Sequence, residues 1–407
     1  MSTAQILMGD GAITEAIAMF RRFMLPYLVA MGVTLLAIPL LRLVAIRRDL
    51  YDRPDSGLKP HERPVPYLGG AGIWLGWLAV LLLAMAGREA PGRQVAWIAV
   101  GGSVLMLVGL IDDIRHLPPV TRLAAQAAVG GLLLYAGIGR GVWAALSQPL
   151  QTHLPAWLTG SEAGLVINAA FLIFLLLGAT NSTNLIDGLD GLCGGILAIA
   201  SLSFWVVALL LWRHVGHGGP TLLEAGEPGI DAGMDLRIAL CAGVVGAGAG
   251  FLCYNLHPAS MFMGDSGSLL LGFNVAIMIA LSAEQGAWRG LAAALLVFGF
   301  PILDTSLAIA RRWLNGRPLF VGDRSHLYDQ LRDRGMSVRG TVYACYLMGA
   351  AFGALGSACV LLPATWVAGI ILAMPFITAF ACWRFGFLRV DDAAERSGQV
   401  KAGESDE

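Results

Sequence analysis

Asn181, Asn184, Asp187 and Asp190 recur at intervals of three, within a segment that runs Asn-Ser-Thr-Asn-Leu-Ile-Asp-Gly-Leu-Asp-Gly to Gly191. On a helix this spacing keeps the four side chains on one face, with a slow drift. Two amides and two carboxylates in such a row make a surface for a polar ligand or a metal ion. The segment closes a long apolar run, where carboxylates near lipid are costly and usually mark a site.

Further acidic residues stand in similar surroundings. Asp112 and Asp113 close another apolar run, and the plain reading is a helix cap or a pair with Arg115. Asp265 lies in a small-residue turn, Gly264-Asp265-Ser266-Gly267-Ser268, just before an apolar stretch. It reads equally as an N-cap and as a metal–phosphate site at a helix N-terminus. Asp190, before Gly191, carries the same two readings. Carboxylates gathered at one membrane face repel one another without a cation, and Mg²⁺ held by a few carboxylates and substrate phosphates is the expected cofactor. Mn²⁺ is the natural substitute, since the ligands are all oxygen. Cations for phosphate are supplied by Lys59, one of only two lysines, and by Arg324 and His326. Aspartates for a metal with Lys, Arg and His opposite suit phosphoryl transfer.

The elements that must position these residues are membrane helices. The chain is 57% hydrophobic and 14% charged, against about 25% charged in soluble domains. An all-α, polytopic membrane bundle follows, with about eleven spans of the ~20 residues needed to cross the hydrocarbon. They are placed at 23–46, 68–86, 95–111, 122–138, 164–183, 192–212, 236–254, 268–283, 290–310, 342–362 and 365–383. Residues 1–22 form an N-terminal segment, 23–390 the membrane domain, and 391–407 an acidic, disordered tail. With the first span running inward, the inner loops hold about 19 of the 27 Lys and Arg residues, as the positive-inside rule requires. That first span lacks the features of a removable signal peptide. The six cysteines sit in apolar segments without metal spacing and read as small buried hydrophobes, with no disulfide. A net charge of −1 says nothing about partners, and no nucleic-acid partner is expected of a membrane bundle of this kind.

In this topology Asp112-Asp113, the 181–190 row, 255–265 and the loop with Arg324 and His326 all fall on the cytoplasmic side. Asp304 lies about two turns before the inner end of its span and reads either as a site residue or as a partner for nearby backbone.

Five segments in this order resemble the polyprenyl-phosphate N-acetylhexosamine-1-phosphate transferase family, glycosyltransferase family 4: 52–61, Asp112-Asp113, 181–191, 255–268 and 324–330. The resemblance implies transfer of a sugar 1-phosphate, N-acetylglucosamine 1-phosphate in first place, from a UDP-sugar to undecaprenyl phosphate, with release of UMP. Such a reaction begins cell-envelope or surface polysaccharide synthesis at the bacterial inner membrane. It further implies that Asp265 ligates Mg²⁺, with Asp112 and Asp113 beside it. Asp112 would deprotonate or orient the lipid phosphate. Asn181, Asn184, Asp187 and Asp190 would hold the nucleotide and order the metal site, and Asn255 and Phe262 would meet uracil near Lys59. Arg324 and His326 would engage the diphosphate.

One departure stands out. Many members carry a His-x-His-His cluster where this chain reads His326-Leu327-Tyr328-Asp329, so one of three histidines remains. This resembles the surface-polysaccharide branches more than the muramoyl-pentapeptide branch and leaves the donor sugar open. A Mg²⁺-dependent lipid-diphosphate hydrolase is the alternative enzyme. A transporter would place its carboxylates near the midplane of repeated halves. Pro301 is expected to kink its span. Gly246 and Gly250 form a small-residue face that serves internal packing or, alternatively, a homodimer.

Overall fold

Apolar runs leave the backbone no partner in lipid but itself, so the chain is helical almost throughout. The computed structural model describes residues 10–54, 63–87, 92–155, 158, 161–215, 230–316 and 326–387. Lys59, Arg324 and the 391–407 tail lie outside the described residues. The chain opens with α1 (Asp10–Arg47), a two-stranded antiparallel sheet of β1 (Tyr51–Asp52) and β2 (Val65–Pro66), α2 (Gly69–Gly87), α3 (Gly92–Arg115) and α4 (Pro119–Tyr135). A short α5 (Val142–Ser147) leads to α6 (Ser161–Ile186), α7 (Leu192–Val215) and α8 (Ile230–Asn255). Then follow α9 (Gly264–Val297), α10 (Gly299–Leu314), α11 (Leu327–Asp333), α12 (Val338–Leu361) and α13 (Ala364–Arg384).

Nine of these helices, among the described residues, are long and apolar enough to cross a membrane. The chain is a multi-pass membrane protein. The span expected at 122–138 corresponds to α4, a helix of 17 residues. Those expected at 268–283 and 290–310 correspond to α9 and α10, and their limits follow from two backbone breaks. At Ala287 the backbone turns to φ 50°, and a Cβ on Gly290 would meet the Ser282 carbonyl. At Phe298 the helix breaks again, three residues before Pro301, which takes a place in the first turn of α10. There its missing N–H costs little.

Helix α9 is the axis of the bundle, with its most apolar stretch wholly buried. Helix α13 is peripheral and presents Trp366, Leu372, Phe376 and Trp383 outward, as a lipid-facing helix should. Close approach elsewhere rests on small residues. A Cβ on Gly246 would strike the backbone of Tyr27, and one on Gly250 the carbonyl of Met31, so this small-residue face packs internally against α1. All six cysteines are free, and only Cys253 is exposed.

Candidate active site

The chemistry gathers where the C-terminal ends of α3 and α6 meet the N-terminal ends of α4 and α9. Gly109 allows the approach: a Cβ there would fall 2.5 Å from the Asp265 backbone. One turn on, Asp113 turns its carboxylate to the N-terminus of α9. Its Oδ1 accepts the Asp265 N–H at 2.8 Å and its Oδ2 the Ser266 N–H at 3.3 Å. Gly264, at φ 70°, completes the turn, since a Cβ would run into the Asp113 carboxylate. The α9 N-terminus therefore takes its anion from the protein itself, and Asp265 is neither the cap nor free to rotate.

Asp265 instead points into a network. Its Oδ1 accepts from Asn184 Nδ2 at 2.7 Å and its Oδ2 from Arg122 Nη1 at 2.9 Å. The same Arg122 nitrogen donates to Asp112 Oδ2 at 2.6 Å, and the Leu117 N–H donates to Asp112 Oδ1 at 2.6 Å. Asn184 also donates to Ser268 Oγ at 3.0 Å. One guanidinium thus bridges two carboxylates whose chain positions are far apart. Among the described residues, carboxylates still outnumber cations here. Asp187 is pushed up to about 8, first by desolvation and then by Asp265, Asp113 and Asp190.

The 181–190 row does not stay on one helical face. Helix α6 ends at Ile186, and Asp187 and Asp190 lie in the turn that Gly191 closes at φ 82°. Asn181 turns to Gln126 Oε1 at 3.0 Å and the Leu177 carbonyl at 2.8 Å, tying α6 to α4. Asp190 Oδ2 accepts the Ala259 N–H at 3.0 Å and meets His257 Nδ1 at 2.7 Å. Asn255 is buried with both ends of its amide engaged, accepting from the Gly191 N–H at 2.9 Å and donating to the Met261 carbonyl at 2.9 Å. Asp190 and Asn255 therefore knit the α6–α7 turn to the α8–α9 loop. Phe262 is partly buried, and its N–H donates to the Pro66 carbonyl at 2.9 Å. That bond sets β2 beside the start of α9. A third group holds His326, whose Nδ1 lies 2.7 Å from Asp304 Oδ2.

Among the described residues, no three Asp, Glu, His or Cys side chains form a closed metal cage. Asp265 and Asp112 nevertheless converge on one cation from two helices. That donor set suits Mg²⁺, which binds through one or two carboxylates and completes its shell with substrate phosphate and water.

The model of glycosyl transferase family 4 matches residues 95–283, the stretch that contains the whole Asp112–Arg122–Asn184–Asp265 network. The probable undecaprenyl-phosphate N-acetylglucosaminyl 1-phosphate transferase of Bacillus subtilis is 31% identical over 353 residues, covering 86% of this chain and 88% of the relative. The chain belongs to glycosyl transferase family 4. The decaprenyl-phosphate N-acetylglucosaminephosphotransferase of Mycobacterium tuberculosis is 33% identical over 348 residues, with 78% and 80% of the two chains covered. A phospho-N-acetylmuramoyl-pentapeptide-transferase from Geobacillus kaustophilus is 31% identical over 270 residues, with 63% and 72% covered.

Within this family 4 site, sequence reasoning missed Arg122, Gln126 and Ser268. Arg122 carried a signal, as a lone cation at the head of an apolar run beside an acidic pair. It counted only toward orientation, and Arg115 took its place as the expected partner of the pair.

Proposed function

We propose that this family 4 protein transfers N-acetylglucosamine 1-phosphate from UDP-N-acetylglucosamine to undecaprenyl phosphate, at the cytoplasmic face of a bacterial inner membrane. The observation that carries the reading is the pair of carboxylates, Asp112 and Asp265, drawn together from two helices by Arg122. The relatives' names supply the transferred sugar phosphate and the polyprenyl-phosphate acceptor. The step forms a bond from a lipid-phosphate oxygen to the sugar-bearing phosphorus and breaks the bridging P–O bond, so that UMP leaves with the electron pair.

Asp265, with Asp112, would hold Mg²⁺, or Mn²⁺ in its place, and the bound ion supplies charge neutralisation on the donor diphosphate. Asp113 contributes by fixing the first turn of α9, and Asn184 by fixing the Asp265 rotamer. Arg122 would orient phosphate oxygens while restraining both carboxylates. Asp112 would take up the residual proton of a lipid monophosphate or orient it. Asp187 lies in the same field and would serve the nucleotide side, while Asp190, Asn255 and Phe262 shape the wall around it. The apolar helices would present the site to an acceptor that never leaves the bilayer.

The test is UMP release by purified protein with Mg²⁺, undecaprenyl phosphate and a panel of UDP-sugars. UMP that appears only with lipid, and fastest with UDP-N-acetylglucosamine, is expected. UMP or phosphate released without the lipid acceptor would instead indicate a hydrolase.

A further inference from the structure

Asp304 sits with no exposed surface in α10, the helix that follows α9 and packs against α6, and its carboxylate is used at both oxygens. Oδ1 accepts the Leu327 N–H at 2.6 Å, and Oδ2 faces His326 Nδ1 at 2.7 Å. A carboxylate that accepts at both oxygens needs a donor opposite each. The hydrogen of His326 is therefore assigned to Nδ1, which leaves Nε2 as the nitrogen for a ligand.

The imidazole is restrained on its face as well. The Tyr328 ring stacks on it at 5.5 Å between centroids and 5° between planes. The Tyr328 hydroxyl donates to the Leu185 carbonyl at 3.1 Å, two residues before Asp187. Gly188 makes room for that hydroxyl, because a Cβ there would collide with it. The α10 acid, the imidazole and the Asp187 turn are thus linked through one stacked pair and two hydrogen bonds.

We propose that Asp304 is a positioning residue for the transfer reaction. It holds His326 in the Nδ1–H form with Nε2 kept for the donor diphosphate, and Tyr328 keys the ring to the Asp187 turn. This rests on the transferase reading given above. A partner of this kind sets both tautomer and ring orientation, as carboxylates do for metal-bound histidines. A purely structural Asp304 would cap the short helix α11 through Leu327 and nothing more.

The two roles separate in Asp304→Asn. The amide oxygen keeps the bond from the Leu327 N–H, while the amide NH₂ turns toward Nδ1 and drives the hydrogen to Nε2. The experiment combines ¹⁵N-histidine NMR, assigned with His326→Gln, with kcat and KM for UDP-N-acetylglucosamine in wild type, both single variants and the double variant. Wild type should show Nδ1 protonated, and Asp304→Asn should show Nε2 protonated. The kcat of Asp304→Asn should fall roughly a hundredfold, the scale of losing one donor to the charge that develops on the diphosphate, with KM little changed. The double variant should be no slower than His326→Gln alone.

A bare Nδ1 in wild type would overturn the proposal, and this readout needs no variant to fold. Wild-type kcat in Asp304→Asn, or multiplied losses in the double variant, would overturn it too. Should wild type show no lipid-dependent transfer, the transferase reading fails, while the tautomer spectra still decide whether Asp304 sets the His326 hydrogen.

Discussion

Helix α9 carries one partly buried acid in its first turn and another just before the Ala287 break, and the two are satisfied in opposite ways. Glu284, in the second half of the helix, receives the Gly139 N–H at 2.6 Å together with the amides of Arg140 and Gly141, and interacts with the Arg237 guanidinium. Every charge there has its own partner. Asp265, about 30 Å away along the helix at 1.5 Å per residue, shares a single guanidinium with Asp112 and has Asp113 and Asp187 beside it. A buried acid is part of the scaffold when backbone amides and a cation match it one for one. It marks a site when carboxylates exceed the cations that the protein provides.

The largest effect should come from removing the unmatched acid. Asp265→Ala is expected to lower turnover by about a thousandfold or more, the scale of losing a principal electrostatic group, with the fold retained in detergent. Lipid-linked product formation measures it, and full activity would break the contrast. Asp112→Asn should keep UDP-sugar binding and lose roughly a hundredfold in kcat, read by separate binding and single-turnover measurements. Weakened binding with normal turnover would contradict its placement on the acceptor side.

Glu284→Gln should do the reverse. It keeps one oxygen for the Gly139 amide and loses the charge, so stability should drop by about 1–3 kcal/mol while activity per folded molecule stays at wild type. Thermal unfolding and specific activity on the same sample separate these. The smallest effect concerns pH. Asp187 holds its proton up to about 8 in the folded protein, above the usual carboxylate range. Folded chains thus bind the extra proton between the two values, and this group's contribution to stability falls as pH rises through that window. A divalent cation displaces that proton, so apparent Mg²⁺ affinity should rise with pH and level off above about 8. An affinity independent of pH would separate Asp187 from the cation site.

The membrane bundle and its one-sided chemistry were legible because both are carried by local pattern. Apolar runs of span length and polar residues at their ends need no tertiary knowledge. Asp112, Asp113, Asn184 and Asp265 could be singled out, and they do converge. Their partners could not, because pairings such as Arg122 with Asp265 join positions 143 residues apart. The even spacing of 181–190 suggested one helical face. Gly188 and Gly191 instead end the helix after Ile186, which turns Asp190 toward His257. Nor could spacing show that the Asp113 carboxylate caps α9, since it reaches the helix from α3. Asp304 stood between two readings, and it proves to bond both His326 and the Leu327 backbone.

The most direct measurement follows ³²P from the sugar-bearing phosphate of UDP-N-acetylglucosamine in wild type and Asp265→Asn, each with Mg²⁺ and undecaprenyl phosphate. The account expects the label to enter the lipid fraction with wild type only, and only when the cation is present. Equal labelling of lipid by Asp265→Asn would contradict it, and so would label leaving wild type solely as free phosphate.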